Sequence, residues 1–387
     1  MKVLYILKSF AIKAGTERVM SDKMNWLAEH GYEVTMVTYE QGKHLLAFSL
    51  HPSINHVNIN TPFFHLKKYR HFFRFMSMRR HYRRQLQSLI DRIQPDILIT
   101  TTYSLNLIDI FLSLKTSAYR ILESHVACYT VKKSYDYRHN PILSRIAVLY
   151  DFFIMKKVSR IDCLVTLTQG DANDWMKYSS NVVVIPNPVS FYPEAIKSHD
   201  GKGHRILSVG RLHEQKGYDL LINAFGLIAD QCPDWNIYIY GDGPEKEKLL
   251  LLINQKKLTE RIIIKDPVST IYEEYQQSEF YVLSSRYEGF PLVLNETMSC
   301  GIPCIAFRCK YGPEDIIVDG GNGLLVEKEN IKELAQMILW MIEHTDERLR
   351  MGKAARETAL RYKKSEIMRL WTDMFEKIGK AKTLRVL

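Results

Sequence analysis

Short apolar segments alternate with longer helical segments along the chain, and a polar stretch divides this alternation into two series. The first series has apolar segments at 2–7, 33–38, 96–100, 120–123, 163–167 and 182–185. The second series has them at 205–209, 236–240, 262–264, 280–283, 303–307 and 323–326. Apolar strands separated by helices are typical of a parallel sheet that helices cover on both faces. The sequence therefore predicts an α/β protein with two Rossmann-like, doubly wound parallel sheets.

The chain has 387 residues, which is too long for one ordinary hydrophobic core and favours two domains. The boundary is predicted in the polar stretch, where Pro193, Gly201 and Gly203 interrupt any periodicity. We expect an N-terminal domain over 1–188, a linker over 189–204 and a second domain over 205–365. Residues 366–387 are assigned to a C-terminal amphipathic helix.

Composition limits the class of protein and its compartment. Hydrophobic residues make up 46% of the chain, yet no apolar stretch reaches the roughly 18 residues that a membrane-spanning helix needs. The apolar run after Met1 lacks a cleavage site, so we expect a first strand and not a signal peptide. No Cys-x-x-Cys pair occurs, which favours reduced, mostly buried thiols and a cytoplasmic location. The six cysteines are Cys128, Cys163, Cys232, Cys300, Cys304 and Cys309.

Positive charge is concentrated in the first half of the chain. Residues 1–187 include 25 Lys and Arg against 14 Asp and Glu, whereas residues 188–387 include 28 against 29. Residues 41–90 contain nine Lys and Arg and no acid, and a helix is predicted there that ends near Ile93. Helical spacing gives this basic helix one apolar side, formed by Phe72, Phe75, Met78, Tyr82, Leu86, Leu89 and Ile93.

Three interpretations of the basic helix remain open. A basic amphipathic helix can lie on an anionic membrane surface. In that case we expect the contact to be made by Arg70, Arg74, Arg79, Arg80 and Arg84. Alternatively, the apolar side packs on the domain core and the arginines are solvated. The same charge would suit nucleic acid, which is the least favoured partner.

Two glutamates flank a predicted strand-to-helix turn in the second series. Glu288 follows the apolar segment 280–283, Gly289 and Pro291 then break the strand, and a helix is predicted over about 292–301. Glu296 falls about one turn into that helix. Open α/β sheets bind ligands at the carboxyl ends of their strands, and a helix N-terminus attracts an anion such as a diphosphate. Ionised carboxylates accept hydrogen bonds from sugar hydroxyls, so the pattern suits a sugar joined to a diphosphate.

This segment also resembles a known family signature. The run Ser285-Arg286-Tyr287-Glu288-Gly289-Phe290-Pro291, followed by Glu296-x-Met298-Ser299-Cys300-Gly301-x-Pro303, resembles that of retaining nucleotide-sugar glycosyltransferases of the GT-B fold, glycosyltransferase family four. The resemblance implies two domains facing a central cleft, with the last helix crossing back to the first domain. It implies that Glu288 contacts donor-sugar hydroxyls and that Glu296 holds the ribose hydroxyls. The backbone that would approach the sugar and diphosphate comprises Gly289, Phe290, Pro291 and Leu292.

A second signature follows the first strand of the second series. The run Val209-Gly210-Arg211-Leu212-x-x-x-Lys216-Gly217 resembles the family motif whose Arg and Lys neutralise the leaving diphosphate. Fixed cations stabilise the negative charge that builds up there. The resemblance also places Gly210 and Asp242 at the donor nucleotide. No Asp-x-Asp pair occurs, and we expect neither a metal nor a cofactor. Seen alone, Arg211 and Lys216 would be surface charges.

Two candidate positions lie in the first series. Gly15 and Thr16 follow the first strand and resemble the family's glycine-rich loop, which approaches the donor phosphate, although Ala14 stands where a first glycine is usual. Thr16 is also a plausible helix N-cap. His125 follows a strand and matches the family histidine that faces the donor sugar. Without the resemblance, a structural histidine is the simpler interpretation.

These features predict a retaining, metal-independent glycosyltransferase. It would move a hexose from a nucleotide diphosphate sugar, with UDP as the expected nucleotide, to a hydroxyl of a glycan or lipid-linked glycan in surface polysaccharide synthesis. The expected location is cytoplasmic, and peripheral at the inner face of the membrane if the basic helix binds there. The alternatives are another GT-B enzyme, such as an epimerase or phosphorylase, and a non-enzymatic basic module that binds membrane or nucleic acid.

Overall fold

The computed structural model describes residues 1–61, 72–132, 140–196 and 201–386, which form two compact units. The first unit comprises residues 1–185 and the C-terminal residues from Met368 onward, and the second comprises Pro186–Ile367. The segment that follows the division packs within the second unit. The Val189 N–H donates to the Tyr362 carbonyl at 2.7 Å, and the Arg356 guanidinium donates to the Pro193 carbonyl at 2.7 Å.

The first unit contains a seven-stranded parallel sheet with the strand order β3-β2-β1-β4-β5-β6-β7. Its strands are β1 (Lys2–Leu7), β2 (Glu33–Thr38), β3 (Asn55–Asn58), β4 (Ile97–Thr101), β5 (Tyr119–Glu123), β6 (Cys163–Thr166) and β7 (Val182–Val184). Every residue of β1 from Val3 to Leu7 is buried, so both faces of the sheet are covered there. The helices described in this unit are α1 (Gly15–Glu29), α2 (Phe72–Ile93), α3 (Ile108–Ser113), α4 (Pro141–Val158) and α5 (Gln169–Trp175).

The second unit contains a six-stranded parallel sheet with the strand order β10-β9-β8-β11-β12-β13. Its strands are β8 (Arg205–Val209), β9 (Asn236–Tyr240), β10 (Ile262–Lys265), β11 (Phe280–Leu283), β12 (Cys304–Phe307) and β13 (Gly323–Val326). Its helices are α6 (Tyr218–Phe225), α7 (Lys246–Gln255), α8 (Ile271–Gln276), α9 (Leu292–Ser299), α10 (Pro313–Ile316), α11 (Ile331–Glu343) and α12 (Thr345–Ala359). Helix α13 (Lys364–Val386) begins in this unit.

From Met368 onward, α13 packs on the first unit. The rings of Phe375 and Tyr32 meet at a centroid distance of 5.9 Å, and the Trp371 ring lies 3.9 Å from the Lys23 ammonium nitrogen. Trp371 and Phe375 are both buried. This part of the C-terminal helix therefore contributes to the core around α1.

The predicted α/β class with two doubly wound parallel sheets is confirmed, and most predicted strands lie within one or two residues of the observed ones. Strand β3 was not predicted, because Asn-His-Val-Asn contains no apolar run; it lies at the edge of its sheet. Helix α4 was also missed. Helix α6 ends at Phe225, with Gly226 as its C-cap.

The basic helix predicted from the sequence corresponds to α2, and its apolar side packs into the core of the first unit. Tyr82, Leu86 and Leu89 are buried. Arg79 pairs with Asp109 of α3, whereas the other described candidates for membrane contact are exposed, namely Arg74, Arg80 and Arg84. Arg70 lies outside the described residues, and membrane contact by the arginines stays a prediction. Within the described residues, no helix is long and apolar enough to cross a membrane.

Candidate active site

The strand order of the second sheet reverses between β8 and β11. Strands β9 and β10 lie beyond β8, and strands β12 and β13 lie beyond β11. In open α/β sheets, ligands bind in the crevice outside the carboxyl ends of the strands at this switch point. Lys216 follows β8 and Glu288 follows β11, so the two signatures found in the sequence meet at this crevice.

Hydrogen bonds hold the two loops at the switch point together. The Ser284 hydroxyl donates to the Lys216 carbonyl at 2.9 Å, and the Arg286 N–H donates to the Gln215 carbonyl at 2.8 Å. Gly217 has a φ of +62°, and a Cβ there would stand 2.1 Å from the Ser284 carbonyl oxygen. Only glycine allows this approach, because a side chain would force the loops apart. The two loops therefore form one continuous surface.

Lys216 and Glu288 are in direct contact. The Lys216 ammonium donates to Glu288 Oε1 at 2.7 Å, and the Ser285 hydroxyl donates to the same oxygen at 2.6 Å. The Lys216 side chain is 16% exposed and that of Glu288 is 8% exposed. Within the described part of the chain, Glu288 Oε2 accepts no hydrogen bond. One carboxylate oxygen is thus neutralised while the other stays available to a hydroxyl donor.

The backbone around Glu288 is held in place by a neighbouring loop. The Glu288 N–H donates to the Lys310 carbonyl at 3.1 Å, and the Tyr311 N–H donates to the Glu288 carbonyl at 2.8 Å. A Cβ at Gly312 would stand 2.5 Å from Pro291 Cδ, so this loop passes directly over the predicted sugar-binding segment. The ring of Phe290 packs on Tyr362 at a centroid distance of 5.7 Å.

The segment Gly289 to Leu292 leads into α9, which begins at Leu292 as predicted. Pro291 is the N-cap residue, and its side chain makes no capping hydrogen bond. Helix N-termini carry unpaired N–H groups and a partial positive charge, both of which favour an anion. Glu296 lies on this helix, is buried, and accepts a hydrogen bond from the Tyr275 hydroxyl at 3.1 Å. Burial raises the pKa of Tyr275, and the nearby Glu296 raises it further, so the phenol remains a donor.

The remaining candidates of this unit lie in the loops that follow β8 and β9. Arg211 is exposed, and none of the described residues forms an ion pair with it. Gly210 approaches Lys216 closely: a Cβ there would stand 3.3 Å from Lys216 Cε and 3.0 Å from the Tyr218 hydroxyl. Asp242 is exposed, and its carbonyl accepts from the Leu212 N–H at 2.8 Å.

Arg286 belongs to the same signature but supports the loop. Its guanidinium donates to both carboxylate oxygens of Asp219 on α6, at 2.9 and 2.7 Å. Burial acts to raise the pKa of Asp219, but the Arg286 guanidinium outweighs it and holds that pKa below its usual value. This bidentate pair anchors the Glu288 loop to the neighbouring helix.

The first unit carries its own cluster at the carboxyl edge of its sheet. Glu123 ends β5, and its Oε2 accepts from His125 Nε2 at 3.1 Å and from the Lys23 ammonium. The side chains of all three residues are at most 3% exposed. Because Nε2 donates to the carboxylate, Nδ1 is the acceptor of the neutral imidazole. Nδ1 is buried and has no hydrogen-bond partner among the described residues.

Charge in this cluster is balanced internally. Burial acts to raise the pKa of Glu123, but the Lys23 ammonium and His125 outweigh it, and the carboxyl's pKa lies below its usual value. Burial lowers the pKa of Lys23, and the attraction of Glu123 offsets part of that effect. The Trp371 ring adds a cation–π contact that favours the charged ammonium. The arrangement can hold His125 in one tautomer.

Lys23 and Glu123 were not identified from the sequence as site residues. A signal was present, since Lys23 lies on α1 between Met20 and Met24, which are both buried. A lysine on the apolar side of a helix needs a buried partner. The partner is 100 residues away in sequence, and only the order of the strands brings it close.

Gly15 and Thr16 begin α1 directly after the loop that follows β1. The N-cap residue of α1 is Ala14, so the expectation that Thr16 caps this helix is wrong; Thr16 already belongs to its first turn. The Thr16 hydroxyl lies 3.4 Å from the hydroxyl of Tyr103, which follows β4. Strands β1 and β4 form the switch point of the first sheet.

All six cysteines are buried and unpaired. In the described ranges, His, Cys, Asp and Glu side chains form no group of three or more that could hold a metal ion.

Two family models match successive parts of the chain. A model described as glycosyltransferase family 4 matches residues 14–191, and one described as glycosyl transferases group 1 matches residues 193–358. The first model covers most of the first unit, and the second covers most of the second unit.

The chain belongs to the family-four glycosyltransferases of the GT-B fold.

This glycosyltransferase matches two bacterial relatives over nearly their whole length. It is 28% identical over 378 residues to an uncharacterized glycosyltransferase of Haemophilus influenzae, covering 96% of this chain and 98% of that protein. It is 28% identical over 383 residues to the amylovoran biosynthesis glycosyltransferase AmsD of Erwinia amylovora, covering 96% and 99%. A shorter match, 28% identical over 228 residues, is to the poly(ribitol-phosphate) alpha-N-acetylglucosaminyltransferase of Staphylococcus aureus, covering 58% and 45%.

Solved structures share the fold of this glycosyltransferase at low sequence identity. TarM of S. aureus, crystallised with UDP and alpha-GlcNAc-glycerol, matches with a TM-score of 0.74 and 16% identity, covering 97% of this chain and 99% of that one. Sucrose-phosphate synthase from Thermosynechococcus elongatus matches with a TM-score of 0.78 and 17% identity, covering 98% and 100%. These similarities establish the GT-B fold.

Proposed function

We propose that this glycosyltransferase moves a hexose from a UDP-sugar to a hydroxyl of a glycan or lipid-linked glycan, with retention of configuration, in the synthesis of a surface polysaccharide. In this transfer, the anomeric carbon exchanges its bond to a diphosphate oxygen for a bond to the acceptor oxygen. The acceptor's proton leaves with the diphosphate or passes to solvent.

The contact between Lys216 and Glu288 carries this proposal. In a nucleotide diphosphate sugar, the diphosphate and the sugar hydroxyls are only a few bonds apart. The site offers the Lys216 ammonium for the former and the Glu288 carboxylate for the latter, and the ammonium lies 2.7 Å from Glu288 Oε1. Because Glu288 Oε1 is occupied by Lys216 and Ser285, we infer that Oε2 accepts the sugar hydroxyl.

We infer that fixed cations, and not a divalent metal, stabilise the leaving diphosphate. Lys216 is held beside Glu288, and Arg211 projects exposed from the same loop. The uncapped N-terminus of α9 adds a partial positive charge. Preorganised charges of this kind lower the barrier where negative charge develops.

The relatives support the substrate classes. TarM was crystallised with UDP, and AmsD takes part in amylovoran biosynthesis by its name. The poly(ribitol-phosphate) relative forms an alpha linkage. UDP-hexoses of the common type carry the alpha configuration, so an alpha product retains it. Six buried, unpaired cysteines fit a reducing compartment and hence the cytoplasmic side of the membrane.

A nucleotide-sugar screen tests the proposal. The melting temperature is measured with UDP-, GDP- and ADP-sugars, since a ligand at 100 times its dissociation constant stabilises the protein by about 2.7 kcal/mol. The sugar that binds is then incubated with glycan acceptors, and the anomeric configuration of the product is read by NMR. Stabilisation by a UDP-sugar and an alpha product are expected. A beta product, or release of an epimerised sugar without transfer, would refute the assignment.

A further inference from the structure

Helix α4 exposes an unusually apolar surface. Ile142 is 72% exposed, Leu149 is 64% exposed, and Ile146, Phe152 and Phe153 are each 62% exposed. Single exposed apolar residues are common on soluble proteins, but a contiguous group marks a binding surface. We call the outward side of Ile142 to Phe153 the α4 apolar face.

The opposite side of α4 already packs on the first unit. Ala147, Asp151, Met155 and Val158 are buried, at the spacing of successive helical turns. A helix that is apolar on both sides needs cover on both. The α4 apolar face is therefore available for a second surface.

Charge decides which occupant suits this face. Arg145 and Lys156 are exposed, and Lys157 is half-buried. The only acid in the α4 sequence is Asp151, which faces inward and is buried. An outward surface of aliphatic and aromatic side chains, with cations and no acid, matches the acyl and headgroup layers of an anionic membrane. A protein partner would not require every outward charge to be positive.

Helix α2 extends the same positive charge and is joined to α4 through α3, whose one charged residue, Asp109, pairs with Arg79. Helix α3 contacts α4, and Arg79 and Arg83 of α2 make hydrogen bonds to residues of α3 and the turn before it. Exposed arginines of α2 such as Arg74, Arg80 and Arg84 thus belong to the same group of helices. Helix α2 offers mainly charge, because most of its apolar side is buried in the core and Phe73 near its start is an exposed exception. Helix α4 offers apolar side chains that can enter the bilayer interface.

We propose that α4 docks this glycosyltransferase on an anionic membrane surface, with the α4 apolar face inserted at the level of the headgroups. The inference deepens the proposed function, on which it rests for an acceptor carried by a lipid. In this proposal, α4 makes the principal membrane contact in place of the basic helix α2.

Vesicle cosedimentation tests the proposal with two matched variants. The first replaces Ile146, Leu149, Phe152 and Phe153 with Ser. The control replaces Leu227, Leu250, Leu251 and Val268 with Ser, which are exposed apolar residues of the second unit. Vesicles contain phosphatidylglycerol and phosphatidylcholine, or phosphatidylcholine alone.

The wild type and the control should bind anionic vesicles, and the α4 variant should bind at least about tenfold more weakly, because burying even one Leu or Phe side chain is worth that factor. Neutral vesicles should bind the wild type more weakly than anionic ones. Equal binding of the α4 variant and the wild type overturns the proposal. A wild type that is dimeric by light scattering, with a monomeric α4 variant, also overturns it in favour of a second copy.

Stabilisation by UDP separates this proposal from the proposed function. All three proteins should show the same rise in melting temperature with UDP, because neither set of substitutions includes a residue of the proposed donor site. Vesicle binding that is lost while UDP stabilisation persists supports docking by α4. Absence of UDP stabilisation in all three proteins counts against the proposed donor alone, since the vesicle comparison does not depend on it.

Discussion

Replacing Lys23 with Met should destabilise the first unit strongly. Lys23→Met keeps an unbranched side chain between Met20 and Met24 but removes the ammonium that pairs with Glu123. The carboxylate then remains buried, with a side chain 3% exposed, and keeps only the hydrogen bond from His125. Removing one partner of a buried ion pair costs about 3–5 kcal/mol, because a charge is left without compensation.

The expected loss of stability comes from the uncompensated charge of Glu123 and not from the ion pair itself. The double variant Lys23→Met, Glu123→Gln should therefore recover most of the loss, since neutral groups of similar volume avoid the desolvation cost. The cation–π contact with Trp371 is lost in both variants and accounts for up to about 2 kcal/mol of any remaining difference. The side-chain amide oxygen that Glu123→Gln introduces can still accept from His125 Nε2.

Native-state hydrogen exchange at the amides of β1 and β4 is the appropriate assay, because it reports the opening free energy of the first unit without assuming that both units unfold together. The single variant should lose about 3–5 kcal/mol of protection and the double variant much less. A loss below about 1 kcal/mol in the single variant, or a double variant no more stable than the single one, would refute the reasoning.

Four further results are expected. Glu288→Gln should lower turnover at least about tenfold, roughly 1.4 kcal/mol in the transition state, with the fold intact; near wild-type turnover would exclude it from the reaction. Arg211→Ala and Lys216→Ala should each weaken calorimetric binding of the nucleoside diphosphate by about 1.5–3 kcal/mol and that of the nucleoside much less, whereas equal losses would limit both to a structural role. Activity should persist in excess EDTA, because Arg211 and Lys216 supply the positive charge; loss that magnesium or manganese restores would contradict this. The folded-state pKa of Glu123 lies below its ordinary value of 4.5, because Lys23 and His125 outweigh burial. The contribution of the Glu123 carboxylate to stability is therefore present above pH 4.5 and is lost as the pH falls through the folded-state pKa. The melting temperature of the wild type should thus fall more steeply on acidification than that of Glu123→Gln, and parallel curves would show that the pair does not titrate as described.

The apolar pattern was sufficient to predict most strands, because a strand buried on both faces must be apolar throughout. It failed for β3, whose edge position requires little burial. It also failed for α4, where apolar residues occur on both sides of the helix and give no clear period. For α2, the sequence left burial and membrane contact of the apolar side open, and the structure buries Tyr82, Leu86 and Leu89.

The sequence by itself determined the two series of strands and helices, the loops that follow β8 and β11, and the presence of Lys216 and Glu288 in them, since these depend on local periodicity and short motifs. Only the tertiary structure decided that Lys216 contacts Glu288 across 72 residues and that Lys23 contacts Glu123 across 100. Neither contact is visible in spacing, because each depends on which strands lie side by side. The order of strands is set by the packing of the whole sheet, and burial then makes each pair necessary.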